Sequence, residues 1–225
     1  MYRALNNKNV TGKDQYKRIY IYFSECRAEE SEVRFEEKME QLPVDMQEEI
    51  RVYHSPQDRA LKLGGRLLLK KMLEDLNQPH SLSDIQYGRY GRPFFDGDFR
   101  FNTSHSGERV ICAAQMGGEL GADLEKVIPV DLKDYINYFT KEEWAEIYRG
   151  PDQNACFFNA WSKKEAFLKA TGMGVQLPLD KVNAIRSHLR YEGRSFYFHQ
   201  VDIGPEYPCW VASSIAFPEI VIKRS

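Results

Sequence analysis

Apolar and polar positions along this chain repeat with two different periods. Arg18-Ile19-Tyr20-Ile21-Tyr22-Phe23 is aromatic and β-branched, which predicts a strand. Glu29 to about Leu42 is charged and predicts a helix. Pro56 then precedes a long helical pattern over Gln57–Leu76. There Leu61, Leu63, Leu67, Leu68 and Met72 make an apolar face opposite a basic one. Asp84–Tyr87 reads as a strand, followed by the turn Gly88–Pro93. Phe99–Asn102 and Arg109–Gln115 read as strands around a Ser-His-Ser-Gly turn, and Gly117-Gly118 reads as a hinge.

The second half has a similar layout. Leu120–Glu125 predicts a strand, Leu132–Tyr135 and Lys141–Tyr148 short helices, and Asn154–Ala170 a long helix ended by Gly172 and Gly174. Asn183–Arg186, Ser195–Gln200 and Trp210–Phe217 alternate in the β manner. Val110-Ile111-Cys112-Ala113-Ala114 is echoed by Trp210-Val211-Ala212-Ser213-Ser214. The expected fold is therefore α+β, with two similar subdomains, residues 1–117 and 118–225. Each is a long helix on a small, mostly antiparallel sheet, and the two are related by a pseudo-twofold with a cleft between them. Met1 to about Gln15 is polar and predicts loose order.

Composition narrows the class. The 225 residues are 42% hydrophobic and 28% charged, with a net charge of -2, which does not describe a general nucleic-acid binder. The four cysteines lie far apart and form no Cys-x-x-Cys or Cys/His cluster, so reduced thiols are expected rather than a zinc site. The polar N-terminus lacks the apolar core of a signal peptide, and no apolar run approaches the ~20 residues of a membrane helix. A cytoplasmic monomer is expected, with neither nucleic acid nor membrane as partner.

Three segments carry candidate chemistry. Asp123 and Glu125 are two apart on a predicted strand, so they share a face while Ala122 and Leu124 turn to the core. Paired carboxylates repel unless a proton or cation lies between them, and Mg²⁺ suits such oxygen donors, with Mn²⁺ as the alternative. Asp-x-Glu on its own is commonly a solvated strand edge. Trp161, Glu165 and Lys169 follow an i, i+4, i+8 spacing on the second long helix. That stripe is either a surface Glu-Lys pair or a cleft wall offering a carboxylate to metal and an ammonium to phosphate. His105 lies between two serines, in a turn that can present it to an anion. Gly91-Arg92-Pro93 holds an Arg able to meet a phosphate, whereas Arg51, Arg59, Lys62 and Arg66 taken alone describe a solvated helix face.

These motifs, in order, resemble the 4′-phosphopantetheinyl transferases. The similarity is to the larger, two-lobed, surfactin-synthetase-activating type that serves nonribosomal peptide and polyketide synthetases. The resemblance runs through Gly91-Arg92-Pro93, Phe101–Gly107, Gly121-Ala122-Asp123-Leu124-Glu125 and Phe139–Trp144. It continues through Trp161–Lys169 and Gly172–Leu179, and with the weaker Asp58–Leu69 helix it spans about Arg51 to Leu179. It implies coenzyme A bound at a lobe interface as the substrate, and an apo acyl, peptidyl or aryl carrier protein as the acceptor. It places Asp123, Glu125 and Glu165 on the metal positions. Ser104, His105, Arg92 and Lys169 fall on coenzyme A phosphate contacts, joined by Arg51 and Arg59 as basic candidates. Glu165, Glu125 and Lys169 are the catalytic candidates, either carboxylate being the base. Glu143 matches a position with base or metal-side work. The family Arg that aligns with Leu61 is missing here, leaving Arg59 or Lys62 to substitute, and Ala122 replaces a larger residue. Lys141 is the candidate for a carrier-facing rim. The competing classes are a metal-dependent phosphohydrolase of a nucleotide pyrophosphate and a non-catalytic coenzyme A-binding protein.

Overall fold

A computed structural model describes residues 14–28 and 31–225, so most of the Met1–Gln15 expectation lies outside the described residues. The elements are β1 (Arg18–Glu25), α1 (Glu32–Met39), α2 (Val44–Arg51), α3 (Pro56–Asp75), β2 (Gln86–Tyr87) and β3 (Pro93–Phe94). They continue with β4 (Phe99–Ser106), β5 (Arg109–Met116), β6 (Leu120–Leu124), α4 (Lys141–Arg149) and α5 (Gln153–Thr171). The chain ends in β7 (His188–Tyr191), β8 (Arg194–Gln200), β9 (Cys209–Ser213) and β10 (Glu219–Arg224). Two four-stranded sheets result, ordered β10-β1-β5-β4 and β6-β9-β8-β7. The second is antiparallel throughout, and the first has one parallel pair, β1 with β10. The last strand of the chain thus pairs with the first, from Arg18 against Glu219 to Phe23 against Arg224.

Strand alternation sorts the cores. Tyr20, Tyr22, Val110, Cys112 and Ala114 face α3, joining Leu61, Leu68, Leu69 and Met72. Ile19, Ile21, Ile111 and Ala113 turn the other way and meet Leu120, Ala122, Leu124, Cys209 and Val211. The far side of the second sheet, Phe196, Phe198 and Ala212, packs on Ala166, Phe167 and Ala170 of α5. The order of layers is helix, sheet, sheet, helix. Each long helix is set by its cap. Ser55 accepts the Asp58 amide at 3.2 Å with Pro56 in the first turn, and Asp152 accepts the Ala155 amide at 3.0 Å. Gly172, at φ 71°, ends α5 in the left-handed conformation.

Some expectations change. The helix expected from Glu29 to about Leu42 runs Glu32–Met39, its expected first residues lying outside the described ones, and a second helix, α2, follows Pro43. Asn183–Arg186 forms no strand; pairing starts at His188, opposite Tyr197. Ser104-His105-Ser106 is not a turn. The β4–β5 ladder continues to Ser106 against Arg109, so the reversal falls on Gly107-Glu108.

The closing strand is tied down by charge. Asp75, at the end of α3, accepts the Tyr22 hydroxyl at 3.0 Å and pairs with Lys223 of β10 and, at 3.5 Å, with Lys71. Burial raises the Asp75 pKa, but the contacts with Lys223 and Tyr22 outweigh it and leave the group below its ordinary 3.8. A depressed carboxylate stabilises the fold above its unfolded pKa and loses that contribution as pH falls through the folded one. Asp75→Asn is therefore expected to lower Tm at pH 7 and to differ less from wild type as pH drops below 3.8. Thermal melts across that range check it, and a difference independent of pH refutes it.

Candidate active site

The site is assembled where the edge strand of one sheet meets the edge strand and helix of the other. Gly121 makes the approach possible: a Cβ there would collide with the Ala166 carbonyl and the Ala170 amide, so α5 lies directly on β6. Ala122 and Leu124 enter the inter-sheet core as expected, and Asp123 turns toward α5. Asp123 is only 3% exposed. Its Oδ1 accepts from Ser104 Oγ at 2.7 Å and from Lys169 Nζ at 2.6 Å, and Lys169 also donates to Ser104 Oγ at 2.9 Å. Its Oδ2 is buried without a hydrogen-bond partner among the described residues.

The other two carboxylates gather around this centre. Glu125 Oε2 accepts from Ser106 Oγ at 2.8 Å. Burial, and then the charge of Asp123, push the Glu125 pKa up to about 7. Glu165, one turn before Lys169 on α5, is raised by burial and by Asp123. Burial likewise holds Asp123 above the usual carboxylate range, against the pull of Lys169 and Ser104. Three mutually repelling carboxylates with one orphaned buried oxygen fit a hard divalent cation. As placed, no group of three or more His, Cys, Asp or Glu among the described residues is closed enough to hold a metal, and the Lys169 ammonium stands at Asp123 instead.

The remaining sequence candidates divide. His105 points away from Ser104, as neighbours on a strand must, and lies near Lys62, Asp58 and Lys169. The residue is exposed on its strand, but partial loss of water around the ring, and then those two lysines, lower its pKa and favour neutral imidazole. Arg92 is held by the protein. It donates to the Ala170 carbonyl at 3.0 Å and the Leu120 carbonyl at 2.8 Å, and lies 3.6 Å from Glu119. It straps the end of α5 to the start of β6. Arg51 pairs bidentately with Glu36, and Arg59 sits over the Phe35 ring. Leu61 is 4% exposed in the α3 core, so that position carries no cation here, and Lys62 is the basic residue of α3 that acts on His105. Trp161 begins the Glu165–Lys169 stripe and stacks edge-on to Tyr135 and Tyr138.

Glu143 sits in a buried ion pair. Its Oε2 accepts Lys164 Nζ at 2.8 Å and the Thr140 amide at 2.7 Å, and its Oε1 accepts the Ala184 amide at 2.6 Å. Lys164 also donates to the Tyr138 and Leu179 carbonyls, and both side chains of the pair are almost fully buried. Sequence reading passes over this pair, because a lysine beside Glu165 looks like any solvated charge. It also passes over Ser106 and Asn102, because residues 102–106 are all polar and no alternation marks which of them face the site.

Comparison with known proteins matches residues 119–210 to the 4′-phosphopantetheinyl transferase superfamily. Residues 28–117 match the 4′-phosphopantetheinyl transferase N-terminal family. The chain is 32% identical over 178 residues to 4′-phosphopantetheinyl transferase Sfp of Bacillus subtilis, covering 76% of this chain and 77% of that one. It is 34% identical over 131 residues to 4′-phosphopantetheinyl transferase gsp of Aneurinibacillus migulanus, covering 57% and 55%. It is also 29% identical over 162 residues to the L-aminoadipate-semialdehyde dehydrogenase-phosphopantetheinyl transferase of Mus musculus, covering 64% and 52%. The matched segment thus spans little more than half of the second and third relatives. Among the described residues no helix is long and apolar enough to cross a membrane.

Proposed function

The chain belongs to the 4′-phosphopantetheinyl transferases, and we propose that it moves the phosphopantetheine arm of coenzyme A onto a serine of an apo carrier protein, with Mg²⁺, releasing 3′,5′-ADP. The observation that carries this reading is the convergence of Asp123, Glu125 and Glu165 on Lys169, with one buried Asp123 oxygen left unpaired.

Asp123, Glu125 and Glu165 would hold the cation. Mg²⁺ held there would supply charge neutralisation and Lewis acidity to the reaction. The chain's own residues do the rest. Ser104 with Lys169 on one face of β4, and His105 with Lys62 on the other, offer hydrogen bonds and positive charge to the phosphates. The carrier serine oxygen attacks the phosphorus bearing pantetheine, the bridging P–O bond breaks, and the serine proton passes to Glu125 or Glu165. Lys169, pre-placed at Asp123, meets the charge that develops on the departing 3′,5′-ADP. Neutral His105 adds a hydrogen bond rather than a second charge.

Mass spectrometry of an apo carrier protein after incubation with coenzyme A, Mg²⁺ and this protein is the test. A gain of one phosphopantetheine on the carrier, with one 3′,5′-ADP released, is expected. Release of 3′,5′-ADP without a carrier would make it a phosphohydrolase, and no consumption of coenzyme A would make it a binding protein.

A further inference from the structure

β4 and β6 are edge strands of different sheets and share no ladder. What joins them is a row of side chains with strand spacing. Asn102 Oδ1 accepts the Ala122 amide at 2.9 Å, Ser104 donates to Asp123 at 2.7 Å, and Ser106 donates to Glu125 at 2.8 Å. Residues two apart on one strand share a face, so this row is a single polar seam. Its upper rungs end on carboxylates of the site.

Ser106 is the rung that nothing in the transferase reading uses. Its hydroxyl has one proton and is committed twice. It accepts the Lys126 amide at 3.0 Å, and this leaves the proton for Glu125 Oε2. Glu125 follows the last residue of β6, with its backbone amide fixed on the Pro208 carbonyl at 3.0 Å, but its side chain has several rotamers open to it. The Asp123 charge repels this carboxylate. The Ser106 bond holds Oε2 in place against that repulsion.

We propose that Ser106 is a positioning residue that holds Glu125 in the orientation the transfer requires. The proposal rests on the reading of Glu125 as a cation ligand or base. A hydrogen-bond partner behind a metal-binding group typically controls about 10- to 100-fold in metal affinity or activity. A merely structural serine at a strand end would change Tm and neither of those.

The experiment compares wild type, Ser106→Ala and Ser106→Thr. Mg²⁺ binding is titrated calorimetrically with neither coenzyme A nor carrier present, and kcat and the KM for coenzyme A are measured separately. Ser106→Ala is expected to weaken Mg²⁺ and lower kcat by about tenfold or more, with KM for coenzyme A within about twofold. Ser106→Thr, which keeps the hydroxyl, is expected to restore both. Should the alanine variant not fold, Ser106→Cys, a weak donor of similar size, gives the same reading. Wild-type Mg²⁺ affinity and kcat in Ser106→Ala, or equal losses in the alanine and threonine variants, overturn the proposal and leave the transferase reading standing. A wild type that neither binds Mg²⁺ nor modifies a carrier overturns the transferase reading, and the Ser106 proposal falls with it.

Discussion

Asp123→Ala is expected to lower kcat for carrier modification by at least about a thousandfold while leaving the fold intact. A single group aimed at developing charge in a dry site is worth about a hundred- to a thousandfold. Asp123 has two claims of that kind, on the cation and on the placing of Lys169. Stability should survive for a separate reason. The native carboxylate is buried with one oxygen unpaired, an arrangement that already costs free energy. Removing it leaves Lys169 with its Ser104 contact, and the lysine side chain is 29% exposed and can turn to water. An unchanged or higher Tm with lost transfer is the expected combination. Glu165→Ala should behave alike, since Glu165 lies on a different element yet is pushed up by the same Asp123 charge. Transfer within tenfold of wild type in either variant, at saturating Mg²⁺, would falsify the assignment of these carboxylates.

Much of this site was legible because its residues sit on regular elements with short periods. Asp123 and Glu125 are two apart on a strand, and Glu165 and Lys169 four apart on a helix, so facing could be argued without coordinates. What could not be read is what faces them. Residues 102–106 are polar throughout, so their pattern does not separate the two faces, and only the meeting of β4 with β6 gives Asn102, Ser104 and Ser106 their partners. Arg92 looks free in a Gly-Arg-Pro turn until the end of α5 arrives with carbonyls to be capped. The same holds for the fold. The hairpin β4–β5 and both long helices follow from local pattern and caps. The parallel pairing of β1 with β10 does not, because the chain between them supplies no local signal of it. The helix Val44–Arg51 was not legible either: in eight mostly polar residues only Met46 and Ile50 mark its buried side.

Glu143→Ala is expected to destabilise the protein by about 3–5 kcal/mol, the cost of removing one partner from a buried ion pair. For a chain of this length that is a fall in Tm of roughly 6 to 20 degrees. The loss has several parts. Lys164 keeps two carbonyl contacts but is left as a buried cation without its counter-charge. The Thr140 amide loses its acceptor at the start of α4, and the Ala184 amide loses the bond that holds the segment before β7. Replacing the pair by apolar residues should therefore not recover the full loss, since those backbone donors stay unsatisfied. The consequence for function is specific. Lys164 immediately precedes Glu165, so the pair anchors the stretch of α5 that carries a site carboxylate. If Glu143 only anchors, transfer per folded molecule, measured well below the lowered Tm, should remain within a few-fold of wild type. If Glu143 were instead the base, transfer would collapse at every temperature. Parallel melting and low-temperature rate measurements on Glu143→Ala separate the two, and a collapsed rate in a variant melting like wild type would return Glu143 to the chemistry.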